Sequence, residues 1–230
     1  RKHLAVKVLY SKLVKPSSQK TPRLYDEWLK LTSQAYSISG EELRKIAVDY
    51  GFGKKEIEKV DGLKLFFAIQ TYYSIIIKVL AAEVAARFYD SAFSSFLERA
   101  SKAISENNLK ELFERLEDGY LFSIFGIKNF LEGEFFSWYL DEWDTNIESV
   151  CKSIISKLME YDIESLIQDP SLARDVLKIL YEELVPRKEV RQKLGIYTTP
   201  DWLAELLIEE TVKYGGVLDK KFLDPGAGTG

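Results

Sequence analysis

Cysteine, histidine and methionine are nearly missing: Cys151, His3 and Met159 are the only ones among 230 residues. A lone cysteine excludes an internal disulfide framework, and with a single histidine it cannot assemble a Cys/His metal cluster. An excess of one charge is lacking too. The 32 Lys and Arg face 36 Asp and Glu, for a formal net charge of −4. That balance excludes a polyelectrolyte built to coat nucleic acid, so any phosphate-binding surface must be local. The longest apolar stretch, residues 63–86, is broken by Lys64, Gln70, Lys78 and Glu83. It suits a buried helix better than a bilayer span. The opening Arg1-Lys2-His3-Leu4 runs straight into a helical pattern, with no secretory signal. The expectation is a cytoplasmic protein without a membrane partner.

What is present describes an ordinary globular chain, 46% hydrophobic and 30% charged. It is long enough for one sizeable core, or one domain and part of another. Apolar residues recur at three- and four-residue spacing almost throughout. Leu4, Val8, Leu9 and Leu13 predict an opening helix, closed by a loop over 16–22, and a second helix is expected over 22–31. Ser39 and Glu42 form a capping box for a helix over 41–50. Gly51 and Gly53 then punctuate before a helical turn at 54–60. Residues 63–87 carry apolar side chains around nearly the whole circumference, which predicts the longest and most buried helix. Further helices are expected near 91–104, 108–116 and 146–161. Between them, residues 119–143 are dense in aromatics, with Phe122, Trp138, Tyr139 and Trp143 among them. Short helices and turns packed as a satellite core are expected there, rather than a base-stacking surface. Lys54, Lys55, Lys59 and Lys64 are a candidate DNA-facing patch. Glu56, Glu58 and Asp61 alternate with them, so a solvated face is the expectation.

After about residue 166 the pattern changes. Asp169-Pro170 starts a helix, Leu172, Val176, Leu177, Leu180 and Leu184 mark one face of it, and Pro186 stops it. A basic turn with Arg187, Lys188, Arg191 and Lys193 leads into Gly195-Ile196-Tyr197-Thr198-Thr199-Pro200. Another helix is expected over 200–214, with Leu203, Leu206 and Leu207 inward and Gly215-Gly216 ending it. Phe222-Leu223-Asp224 suits the first buried strand of a parallel sheet. It enters the turn Pro225-Gly226-Ala227-Gly228-Thr229-Gly230. A carboxylate at a strand's C-terminal edge can hold an ammonium group, and glycines let the backbone approach a ligand closely. Taken alone, such a loop also reads as a glycine-rich surface turn, because a lone glycine fingerprint is a weak signal.

The two segments together resemble the N6-adenine DNA methyltransferases. Residues 195–200 resemble the Gly-x-Tyr-x-Thr-Pro motif of that family, and residues 224–230 resemble its Asp-Pro-x-x-Gly-x-Gly motif. Their order matches the subgroup whose target-recognition domain is C-terminal. The lead-in from Leu180 to Gly195 is similar to the large methylase polypeptides of restriction-modification and phage-defence systems. Trp28 and Thr71-Tyr72-Tyr73 faintly resemble helical regions ahead of such methylase domains. The main resemblance covers about the last fifth to quarter of the chain.

The resemblance implies S-adenosylmethionine as cofactor. Asp224 would hold its methionine amino group, and Pro225, Gly226, Gly228 and Gly230 would shape the loop beneath it. Tyr197, Thr198, Thr199 and Pro200 would close over the methionine end, while Thr199-Pro200 also reads as an ordinary helix start. Trp202 is a possible cofactor neighbour, though a core or surface aromatic is the simpler reading. The implied fold is mainly α, with a helical domain over 1–165. Residues 166–230 would then hold the first helix and strand of a Rossmann-like α/β methyltransferase domain.

The implied partner is double-stranded DNA, with a nuclease or specificity module as a further partner of the parent protein. No Pro-Asp…Glu-x-Lys nuclease signature occurs in the sequence. The base-binding Asn/Asp-Pro-Pro-Tyr/Phe motif of the family is absent from residues 1–230. The nearest imitation, Asp169-Pro170-Ser171-Leu172, lacks the aromatic and precedes the cofactor motif. No catalytic residue is therefore assigned, no metal is expected, and this chain alone is expected to be a catalytically inactive piece of a longer protein. Two alternatives stand: an RNA or protein methyltransferase of the same fold, and a non-catalytic helical interaction or DNA-clamping module.

Overall fold

A computed structural model describes residues 2–35, 39–89, 95–128, 135–161, 163 and 199–215. These are mainly helical and contain no strand. The expected helix after Asp169-Pro170, the strand Phe222-Leu223-Asp224 and the glycine turn lie outside the described residues.

Helix α1 spans Lys2–Val14 and α2 spans Lys20–Ala35. The second helix begins before Pro22, which the first turn of a helix accommodates. Leu4 is 69% exposed, while Ala5, Val6, Leu9 and Leu13 make the buried face. The Ser39–Glu42 capping box is present: Ser39 Oγ accepts from the Glu42 backbone N–H at 3.3 Å. In return the Ser39 N–H donates to Glu42 Oε2 at 3.0 Å. It opens the short helix α3, Gly40–Arg44, which tightens into a 3₁₀ turn over Lys45–Tyr50 rather than continuing as an α-helix. Gly51 closes that turn at φ 75, a left-handed conformation that glycine adopts without cost. Helix α4 is only Lys54–Ile57.

Helix α5, Gly62–Tyr89, is the longest described helix and the axis of the fold. Leu65, Phe66, Phe67, Ala68 and Ile69 are all buried in succession, so this part of the helix is enclosed on every side, while Ile77 and Val84 further along are exposed. Gly62–Arg87 is long and apolar enough to cross a membrane by length and composition alone, yet most of it is buried against the rest of the chain. Around it pack α1, α3, α6 (Phe96–Ser105), α7 (Leu109–Glu117), α8 (Tyr120–Ile124) and α9 (Thr145–Leu158). A second 3₁₀ turn, Phe135–Leu140, packs against α2, α5 and α7. Its Trp138 and Tyr139 are fully buried in the one continuous core that runs from Ala5 to Ile163. The expected satellite core is thus part of the main core, because this turn inserts its rings beside Phe67, 6.0 Å from Trp138. Core packing, not base stacking, is the role of Phe122, Trp138 and Tyr139.

One close approach sets the geometry at the start of α5. A Cβ added at Gly62 would lie 1.9 Å from the Gly40 carbonyl oxygen and 2.7 Å from the Arg44 nitrogen. Only a residue without a side chain lets α5 begin against α3.

Candidate functional site

Of the nine residues expected to hold a cofactor, Thr199 and Pro200 are among the described ones; Tyr197, Thr198, Asp224, Pro225, Gly226, Gly228 and Gly230 lie outside them. Thr199 and Pro200 are exposed and stand directly before helix α10, Asp201–Gly215. The Pro200 carbonyl accepts from the backbone N–H groups of Leu203 at 2.9 Å and Ala204 at 3.0 Å, so Pro200 opens the helix. The expected start is therefore present. The expected inward face is not: Leu206 is 45% exposed and Leu207 56%, with only Leu203 half-buried. No described element covers that face. Trp202 is likewise a surface aromatic.

The buried polar groups of the helical core are satisfied structurally. Lys78 on α5 forms an ion pair of 2.6 Å with Glu117 on α7, with side chains 1% and 4% exposed. Tyr139 donates its hydroxyl to the other Glu117 oxygen at 2.8 Å. Desolvation, then the Glu117 charge, drives the Tyr139 hydroxyl well above its ordinary pKa, so it remains a neutral donor. The buried Cys151 thiol is pushed up by desolvation first and by Glu117 and Glu148 after it, which leaves it without thiolate character. Trp138 Nε1 donates to Thr71 Oγ1 at 2.8 Å, and Thr71 donates to the Phe67 carbonyl at 2.8 Å. Trp28 Nε1 donates to Gln70 at 2.7 Å. Both Trp28 and Thr71 thus have clear packing roles.

Two further carboxylates tie elements together. Glu83 accepts from the Ser95 hydroxyl and the Leu97 backbone N–H, which anchors the start of α6. Glu142 accepts from the backbone and hydroxyl of Ser17, the Ser18 backbone and the Thr21 hydroxyl. Among the described residues no buried side-chain nitrogen or oxygen lacks a partner, and no cluster of three His, Cys, Asp or Glu could hold a metal.

The four lysines singled out in sequence divide on the surface. Lys54 and Lys55 are exposed, and Lys64 lies over the Tyr25 ring at 5.8 Å. Lys59 instead lines an open groove together with Lys7 of α1 and Lys15 just after that helix. Sequence reasoning missed those two partners, because α1 and the α4 segment are some forty residues apart and only the tertiary fold joins them. No protein-family model, curated protein or solved structure matches the chain.

Proposed function

We propose that this chain is the front part of an S-adenosylmethionine-dependent DNA adenine-N6 methyltransferase, with a helical domain ahead of a Rossmann-like catalytic domain. The observation that carries the proposal is the ordered pair of segments, Gly195-Ile196-Tyr197-Thr198-Thr199-Pro200 and Asp224-Pro225-Gly226-Ala227-Gly228-Thr229-Gly230. Helix α10 supports it, since it starts immediately after Thr199-Pro200 and runs to Gly215, within the interval before the second segment. S-adenosylmethionine supplies an electrophilic methyl group on a sulfonium. The chain's own part is to hold its methionine end: Asp224 binds the ammonium, and the threonine hydroxyls orient the carboxylate.

Replacing Asp224 with Ala tests this. A charge-assisted bond is worth about 1.5–3 kcal/mol, or roughly ten- to a hundredfold in affinity. In the complete parent protein, calorimetric titration of S-adenosylmethionine should show that loss, while DNA affinity in a gel shift stays unchanged because no positive charge is removed. Equal cofactor affinity in Asp224→Ala and the parent would return the glycine loop to a plain surface turn.

A further inference from the structure

The chain carries a net negative charge, yet one groove of its helical domain gathers positive charge. The groove encloses about 510 Å³ between α1 and the segment from Phe52 to Val60. Lys7 and Tyr10 of α1 and Lys15 just after it line one wall, and Phe52, Glu56 and Lys59 the other. Lys15 and Lys59 are exposed, and among the described residues neither forms an ion pair with a carboxylate. Lys7 is held in place, donating to the Gly51 carbonyl at 2.6 Å with its ammonium 4.9 Å from the Phe52 ring. Phe52 in turn meets the Tyr10 ring in a T-shaped contact, with ring centroids 5.4 Å apart. The one acidic lining residue, Glu56, is engaged by the Gly53 backbone N–H at 2.6 Å. Three ammonium groups thus line an aromatic-floored groove whose single carboxylate already caps a helix.

We propose that this groove of Lys7, Lys15 and Lys59 binds the phosphodiester backbone of double-stranded DNA. The choice of DNA as the occupant rests on the methyltransferase reading above; the positive groove itself does not. Lys7 and Lys15 are eight residues apart, about 12 Å along the helix axis. That span covers about three or four phosphates of one strand at 3.4 Å each. Lysine is a point charge on a flexible stem, which suits contacts to phosphate without reading of bases.

The experiment is a fluorescence-anisotropy titration of the 230-residue chain with two duplexes of unrelated sequence over a range of salt. Lys15→Gln with Lys59→Gln should weaken both duplexes equally and lower the slope of log K against log salt by about 2, roughly 1 per lysine. Lys102→Gln with Lys110→Gln is the charge-matched control, since these lysines pair with Glu106 and Glu114 on other helices. It should leave the slope unchanged. Thermal unfolding verifies that the exposed substitutions leave the fold intact. The proposal is overturned by an unchanged slope, by an equal loss in the control, by absence of duplex binding, or by poly-glutamate competing as well as DNA. Cofactor titration on the complete parent protein, with and without the same groove substitutions, separates the two readings. Intact S-adenosylmethionine binding with no groove effect sinks the groove alone; a groove effect without cofactor binding sinks the methyltransferase reading and leaves a DNA-binding groove.

Discussion

Glu142 shows how much one side chain can organise. Its carboxylate, almost fully buried, gathers the backbone of Ser17 and Ser18 and two hydroxyls, and so ties the turn before α2 to the end of the second 3₁₀ turn. Burial by itself would raise the carboxyl's pKa, but the hydrogen bonds from Ser17, Ser18 and Thr21 outweigh it and hold the value below the ordinary one. Asp144 behaves alike: desolvation opposes ionisation, yet Lys12 and the Ile147 and Asn146 donors bring its pKa to about 2. Both folded-state values are depressed, so their stabilisation is complete above the unfolded values near 4 and fades as pH falls through the folded ones. Glu142→Gln should cost about 2 kcal/mol at neutral pH, because the carboxamide loses the charge and turns an N–H₂ toward buried donors. Urea denaturation at pH 7 and pH 3 checks this: the gap between parent and variant should narrow at the lower pH. A gap that stayed constant would show that the carboxylate charge contributes nothing.

At the scale of elements, the crossing of α3 and the start of α5 is the tightest contact that a glycine permits. Gly62→Ala should gain about 1 kcal/mol from helix propensity. It must also push a Cβ to within 1.9 Å of the Gly40 carbonyl and 2.7 Å of the Arg44 nitrogen, both backbone atoms that cannot swing aside. Overpacking of this kind costs typically 1–3 kcal/mol and more where backbone must move, so the clash wins. The expected outcome is a net loss of at least about 1 kcal/mol in denaturant unfolding. A stabilised Gly62→Ala would mean that α3 slides away freely.

For the whole molecule, the continuous core from Ala5 to Ile163 predicts that residues 1–165 fold without the remainder. Trypsin or thermolysin at low ratio should cut first beyond residue 165 and leave a helical remnant, measured by mass spectrometry and circular dichroism. A first cut inside Gly62–Tyr89 would count against an independent helical domain. The same autonomy places the lysine groove, built from α1 and the α4 segment, in a part of the chain that does not need the methyltransferase motifs to form.

Local signals determined a good deal by themselves. The Ser39–Glu42 box, the helix after Thr199-Pro200 and the long buried helix centred on Phe66 and Phe67 are all written in neighbouring residues, since capping and 3.6-residue periodicity are short-range effects. The methyltransferase resemblance too is a matter of adjacent residues, which is why it needs no fold to be seen. Tertiary structure alone decided the rest. Ser17 meets Glu142 across 125 residues, Lys78 meets Glu117 across 39, and Trp138 lodges against Thr71 in the main core rather than a satellite. Gly62 shows no special local pattern; its necessity comes from Gly40 lying beneath it. Lys59 alternates with acids in the sequence and looks merely solvated, and it becomes part of a positive groove only because α1 brings Lys7 and Lys15 opposite. Charge and burial are properties of the neighbours in space, and those neighbours come from packing around α5, not from order along the chain.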